Sequence, residues 1–364
     1  MANYDVAPGV SAALENFVLP ASLGFGPVAA PVMYSVEWSN GSWSRGRLMP
    51  YGPIEIFPGA RALQYGELVF EGLKAYRVGV TGAGTTRAAA NLFRPGENCA
   101  RLTRSAQRLS MPAVPESLFF EAIETVVGVC SELIPWQSGR SLYLRPFLFG
   151  TEAGYQLRNS TTFRFMVIAN PVEIYSSGAM RVAIERDDVR AAVGGVGTAK
   201  ASANYAASLR ASNAAVARGL TVALWLDARE QRYIQELSGM NLFAVIDGEL
   251  HTPSLDGAIL AGITRDSLIT LARHLGYAVH ERNMVLDELL AQIGSGACTE
   301  VFACGTAAIL SPIGLLTDKN RREYVPAQID DVAAKLREAL LSIQERRAPD
   351  LFGWTRDVAP VALD

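Results

Sequence analysis

The stretch Gly194–Ser208, GGVGTAKASANYAAS, sets a single lysine among small residues. Glycines at 194, 195 and 197 precede Lys200, and alanines flank it on both sides. Glycines in series turn the chain, and the alanines after them lead into a helix. Small neighbours also leave room for something bulky against the lysine amine. A lysine with little water around it has a depressed pKa, because desolvation penalises the ammonium. A neutral amine can attack a carbonyl carbon. A plainer reading stays open at this point: a glycine turn into an alanine-rich helix, with Lys200 solvated at its start. A phosphate-cradling P-loop does not fit. That motif needs Gly before the lysine and Ser or Thr after it, and Ala199 and Ala201 stand there.

A chain of 364 residues allows two domains with separate cores. With 49% hydrophobic and 19% charged residues the composition is that of a globular protein. A net charge of −3 provides no basic field for nucleic acid or an anionic membrane. Cys99, Cys130, Cys298 and Cys304 show no CxxC spacing and read as reduced thiols, which predicts a cytoplasmic protein. The three histidines, His251, His274 and His280, come with no clustered cysteine, so no metal is expected.

Residues 1–31 lack a steady period and read as an irregular arm. Val32–Trp38 is a strand, and Leu48–Phe57, with two prolines, an edge. Leu68–Tyr76 is a further apolar segment, and Gly79–Thr86 a turn. Gly96–Met111 is a helix with Leu102, Ala106 and Leu109 on one side and Arg101, Arg104 and Arg108 on another. Glu116–Leu133 is a second helix with a buried stripe of Phe120, Ile123, Val127 and Cys130. Leu142–Phe149 and Phe163–Ala169 are strands. These elements predict an α/β domain over 1–175, a crossing over 176–187 that includes a short strand at Met180–Ile184, and a second domain over 188–364. In that second half the pattern gives a helix at Tyr205–Arg218, closed by Gly219. Strands follow at Val222–Leu226, Arg232–Leu237 and Asn241–Ile246, with a hairpin turn at Asp247-Gly248. Ile263–Leu275 is a helix, Tyr277–Arg282 a strand, Leu286–Ile293 a short helix, Glu300–Cys304 a strand and Ile329–Ile343 a final helix.

Four further places bear on Lys200. Gly262-Ile263-Thr264-Arg265 opens a long helix, where unpaired N–H groups and the dipole suit a phosphate. An ordinary helix start with Thr264 as cap fits the same residues. Gly305-Thr306-Ala307 follows a strand and exposes N–H groups that suit phosphate or carboxylate, as a plain turn also does. Glu236 lies in an apolar strand and needs a partner: a pyridinium nitrogen, an arginine or solvent. Tyr143 and Arg145 alternate on a strand and share a face, which suits a substrate carboxylate or an ordinary salt bridge. An amine, two phosphate-type turns, a carboxylate and an arginine together describe a pyridoxal phosphate site.

The chain resembles the branched-chain aminotransferases, fold type IV among pyridoxal phosphate enzymes. The likeness is carried by LQYGELVFEGLKAYR (Leu63–Arg77), LFRPGENCARLTRSAQRLSMP (Leu92–Pro112), SLYLRPFLFGTE (Ser141–Glu152), GGVGTAKASANYAAS, ELSGMNLFAV (Glu236–Val245), GITRDSL (Gly262–Leu268) and EVFACGTAA (Glu300–Ala308), in the family order. It implies two domains, a small N-terminal α/β domain and a larger C-terminal pseudo-barrel, with the site between them. It implies that Lys200 bonds pyridoxal 5′-phosphate. By the same resemblance Arg101, Ile263, Thr264 and Thr306 hold the phosphate, Glu236 the pyridine nitrogen, and Tyr205 lies beside the ring. Tyr65, Tyr143, Arg145 and Tyr175 would line the substrate pocket, with Thr306 and Ala307 N–H groups taking the α-carboxylate. The activity implied is transfer of an amino group between an L-amino acid and 2-oxoglutarate, in a homodimer whose arm or Gly150–Thr161 loop reaches the other subunit's site.

The sequence departs from the family in places. Where the pattern is Phe-Thr-Asp-His-Met, it reads Ala29-Ala30-Pro31-Val32-Met33, so a pocket phenylalanine becomes Ala29 unless Phe25 replaces it. Ala201-Ser202-Ala203 stands where glycines are common, and Glu173-Ile174-Tyr175-Ser176-Ser177 where Gly-Ala-Tyr-Phe is usual. These changes touch pocket size, so the preferred side chain is either branched aliphatic or a bulkier, more specialised one. A lyase of the same fold, a D-amino acid transaminase and a non-catalytic relative are the alternatives. The first two are usually shorter and lack the YLRP and FEGLKAY segments.

Overall fold

The computed structural model describes residues 4–78, 89–174, 178–318, 321–329 and 331–363. Tyr175 and the turn expected over Gly79–Thr86 lie outside the described residues. The chain divides into two compact units. The first comprises Met1–Tyr175, Ala199–Ser202 and Ser342–Asp364, and the second Ser176–Thr198 and Ala203–Leu341. The sequence pattern assigns 188–364 whole to the second domain. Backbone pairing divides it differently: Lys200 O accepts from Phe70 N, and the C-terminal strand Thr355–Val358 pairs with Ala89–Phe93.

The first unit is built on a ten-stranded sheet. Its main order is Tyr4–Val6, Gly46–Pro50, Val32–Ser39, Phe163–Val172, Ser141–Gly150, Leu73–Val78, Ala89–Phe93 and Thr355–Val358. Apart from the first pair, which is parallel, the pairs along this order are antiparallel. The unit is therefore α+β rather than a series of βαβ crossovers. The expected irregular arm instead contains a strand, Tyr4–Val6, and a short helix, Val10–Glu15. That strand covers Gly46–Pro50, which is consequently not an edge. Leu68–Tyr76 breaks at Glu71-Gly72 into Leu68–Phe70 and Leu73–Val78. The helix Glu116–Val129 packs on the strands Val32–Ser39 and Phe163–Val172 through Phe119, Ile123, Val126 and Val127. Of the expected stripe Ile123, Val127 and Cys130 are buried, while Phe119 takes the inward place expected of Phe120, which is half-buried with the Arg356 guanidinium 4.1 Å from its ring.

The second unit carries nine strands. Six run in the order Ile234–Leu237, Val222–Leu226, Met180–Ile184, Ile309–Thr317, Cys298–Gly305 and Asn241–Ile246. The first and last of these are consecutive in the chain. Leu237 and Met240 exchange backbone hydrogen bonds of 2.8 and 3.2 Å around Ser238-Gly239, and this curls the six strands into a pseudo-barrel. Met180–Ile184, expected within a crossing segment, is an interior strand of that sheet. Asp247 and Gly248 both take positive φ (51° and 78°), as a two-residue hairpin turn requires. The expected helix Tyr205–Arg218 is two helices, Ser202–Ala207 and Leu209–Ala217, parted at Ser208, whose hydroxyl donates to Tyr205 O. The helices Leu209–Ala217, Ile263–His274 and Leu286–Ser295 pack against strands of this unit. No helix of the described residues is long and apolar enough to cross a membrane.

Candidate active site

In the first unit the site grows from the helix Pro95–Arg108. Asn98, Arg101 and Ser105 recur at helical spacing and are all buried, beside the apolar stripe of Leu102 and Ala106. The three arginines expected on one side separate: Arg104 and Arg108 are exposed, while Arg101 turns inward. Glu71, at the break between two strands and 0% exposed, draws it in. Arg101 Nε donates to Glu71 Oε1 at 2.7 Å and Nη2 to Oε2 at 2.9 Å. Asn98 Nδ2 donates to Oε2 at 2.7 Å. Burial alone would raise the Glu71 pKa, but the Arg101 guanidinium, its hydrogen bonds, the nearby Lys200 amine and the Asn98 amide together hold it below the ordinary carboxylate value.

Lys200 is fixed by its own backbone. Its N–H donates to Ser105 Oγ at 2.9 Å, its carbonyl accepts from Phe70 N at 3.0 Å, and Ala201 bridges Val69. The amine nitrogen lies 4.9 Å from the centroid of the Phe70 ring. Arg145 shares that ring, its guanidinium carbon 4.6 Å from the centroid. Tyr143 and Arg145 do share a face: Arg145 Nη2 donates to Tyr143 Oη at 3.1 Å. Arg145 Nε is buried with no hydrogen-bond partner among the described residues. Phe25 meets the Tyr143 ring edge-to-face at 5.1 Å, so it supplies an aromatic ring where Ala29 does not. Tyr65 is 44% exposed, and its hydroxyl donates to Tyr155 O at 2.6 Å.

In the second unit Glu236 is buried in its strand. Arg190 Nη2 lies 2.8 Å from Oε1, and Asn241 Nδ2 donates to Oε2 at 3.1 Å. The arginine left open as a partner is therefore present, and it lies 46 residues upstream, where no sequence pattern pointed to it. Arg190 Nε is buried without a hydrogen-bond partner among the described residues. Asn241 also donates to Leu260 O at 3.1 Å, which ties the carboxylate to the loop before the next helix. That helix begins at Ile263, and its cap is Gly262 rather than Thr264, with no side-chain capping bond. Its first-turn N–H groups are of the kind that bind anions. A Cβ at Gly262 would stand 2.0 Å from Asn241 Oδ1, so a larger residue there would push the Asn241 amide from its place beside Glu236. Thr264 is buried and Ile263 half-buried. Thr306 and Ala307, both half-buried, form the turn between Cys298–Gly305 and Ile309–Thr317. Ile309 closes this turn at φ 60°, a conformation β-branched residues rarely adopt and one kept chiefly at functional turns. Tyr205 is half-buried near the turn that follows Glu236, its ring 3.9 Å from where a Gly239 Cβ would lie.

The structure also gathers Glu249, His251 and His280, whose ligating atoms lie within 4.8 Å of one another. The small histidine count had concealed this, because His251 and His280 meet only by parallel pairing of their strands. Arg282 Nε donates to His251 Nδ1 at 3.0 Å, and His280 pairs with Glu249 at 2.8 Å, so each member already has a partner.

A family model for class IV amino-transferases matches residues 68–316. The chain belongs to that family. This class IV aminotransferase is 40% identical over 345 residues to branched-chain-amino-acid transaminase 1 of Bacillus subtilis, covering 93% of this chain and 95% of the relative. It is 40% identical over 357 residues to the branched-chain-amino-acid aminotransferase of Mycolicibacterium smegmatis, with 95% of each covered. Among solved structures it is similar to a Thermoproteus uzoniensis branched-chain aminotransferase with norvaline (TM-score 0.72, 27% identity, 89% of this chain and 99% of that one). It is also similar to the T.th. branched-chain amino acid aminotransferase complexed with N-(5′-phosphopyridoxyl)-L-glutamate (TM-score 0.68, 32% identity, 88% and 97%). Pyridoxal 5′-phosphate is the cofactor of class IV aminotransferases. Each unit by itself holds groups of the kind it requires: the first an amine and a guanidinium, the second an uncapped helix start and a buried carboxylate.

Proposed function

We propose that this protein transfers the amino group between a branched-chain aliphatic L-amino acid and 2-oxoglutarate. One observation carries the reading above the others: Lys200, whose main chain is hydrogen-bonded at both N–H and C=O and whose amine is set against Phe70. The bound cofactor supplies an electron sink for the substrate Cα. Lys200 Nζ would hold the cofactor and would carry the substrate Cα proton. Glu236 would hold a proton at the ring nitrogen, and Arg190 and Asn241 keep its carboxylate in place. Arg101, Ile263, Thr264 and Thr306 bind phosphate, and Tyr205 flanks the ring. Tyr143, Arg145, Tyr65, Tyr175, Thr306 and Ala307 orient the substrate. Arg145, whose Nε has no hydrogen-bond partner among the described residues, is suited to the distal carboxylate of 2-oxoglutarate.

The same reading assigns a homodimer and a cytoplasmic setting. The segments around 57–65 and 152–157 are tied by Gly154 N to Gly59 O and by the Ala60–Ala153 bridge. Together they expose Phe57, Leu63, Tyr65, Tyr155 and Leu157, an apolar patch suited to a second copy. A transamination panel with 2-oxoglutarate as acceptor tests substrate choice. Leu, Ile and Val are expected to be turned over in preference to Phe and bulkier amino acids. A preference for a bulky or specialised substrate would show instead that Phe25 and Ala29 have reshaped the pocket, and release of pyruvate without keto-acid dependence would indicate a lyase.

A further inference from the structure

We propose that Glu71 is a positioning residue for the cofactor phosphate, acting through Arg101. The inference rests on the reading that Arg101 meets that phosphate. A carboxylate near a bound phosphate is a cost by itself, since like charges repel, and a wholly buried carboxylate adds a desolvation cost. An apolar residue would spare both costs if the place needed only filling. Glu71 instead has its acceptor sites taken up by donors: Arg101 Nε at 2.7 Å, Arg101 Nη2 at 2.9 Å, Asn98 Nδ2 at 2.7 Å and the Gly72 N–H at 3.2 Å.

A guanidinium is planar and offers two edges for forked hydrogen bonds. Glu71 takes the Nε–Nη2 edge, and planarity then fixes the direction of the Nη1–Nη2 edge, the one that suits an oxyanion. Ordering a long arginine before the ligand arrives removes an entropy cost from binding. The anchor itself is held. Asn98 sits one helical turn before Arg101 and also donates to Gly72 O at 3.2 Å. A Cβ at Gly72 would stand 2.0 Å from Tyr143 Oη, so the Glu71-Gly72 break is wedged against the substrate-side tyrosine. Lys200 lies near enough to help keep Glu71 ionised. The carboxylate therefore organises the cations around it and balances their charge before the phosphate is bound.

The test measures the affinity of apo protein for pyridoxal 5′-phosphate and, separately, for pyridoxal, which lacks the phosphate. Wild type, Glu71→Gln, Arg101→Gln and the double variant are compared. Glu71→Gln is expected to weaken the phosphorylated ligand by about tenfold or more and to leave pyridoxal binding unchanged. The double variant is expected to match Arg101→Gln alone, because the effect of Glu71 passes through Arg101. If Arg101→Gln binds pyridoxal 5′-phosphate like wild type, the phosphate reading of Arg101 is wrong. If Arg101→Gln is weakened but Glu71→Gln is not, or if Glu71→Gln weakens both ligands equally, the positioning role is overturned. Should Glu71→Gln fail to fold, Asn98→Ser removes one of its anchors without unpairing a charge. A several-fold loss confined to the phosphorylated ligand then supports the proposal, and unchanged binding overturns it.

Discussion

Arg190 and Glu236 face each other in the interior of the second unit, 2.8 Å apart, so removing either takes the counter-charge from a buried group. Glu236 was legible in the sequence, because a carboxylate between Ile234 and Leu237 in a strand cannot be left alone. Arg190 was not, since a partner supplied across a fold leaves no local period. Glu71 and Asn98 were hidden for a related reason: they stood inside recognised motifs, but their roles depend on meeting across a strand break and a helix. Replacing Arg190 by Met would strand a buried carboxylate. That should lower stability by about 3–5 kcal/mol, read as a drop in the thermal midpoint of the apo protein. An unchanged midpoint would mean that Glu236 finds solvent or another donor, and that Arg190 does not hold it.

Elements were legible where a period or a turn signal was strong. The hairpin at Asp247-Gly248, the helix from Ile263 and the paired strands Ser141–Gly150 and Phe163–Val172 fall close to their expected bounds. Ile309–Thr317 was not among the expected strands, and it contains Pro312 and Gly314, two residues disfavoured inside a strand. It nonetheless lies in the interior of the second sheet, flanked by Met180–Ile184 and Cys298–Gly305. The glycines before Lys200 have a more specific reason than flexibility. A Cβ at Gly197 would stand 2.3 Å from Ala258 O and 2.7 Å from the Ala191 side chain. Gly197→Ala must therefore push the segment leading to Lys200 away from its neighbours, at a cost of about 1–3 kcal/mol. The expected outcome is a lower thermal midpoint together with weaker cofactor retention. Wild-type values in both would show that this close approach is not needed.

At the scale of the whole molecule, the family was legible from seven motifs in order, while the allocation of Lys200 and the C-terminal strand to the first unit was not. Both join that unit by backbone pairing over long sequence separations, which residue types do not announce. The exposed patch of Phe57, Leu63, Tyr65, Tyr155 and Leu157 suits a second copy, and Leu157 is 90% exposed. Tyr155→Asp with Leu157→Asp should convert a dimer to a monomer in light scattering coupled to size exclusion. A variant that stays dimeric would move the interface elsewhere.

The chain has four lysines, Lys74, Lys200, Lys319 and Lys335, so the attachment of the cofactor can be read directly. Borohydride reduction of the loaded protein, followed by peptide mass mapping, should place a single phosphopyridoxyl group on the peptide that contains Lys200. A group on any of the other three lysines, or none at all, would contradict the account.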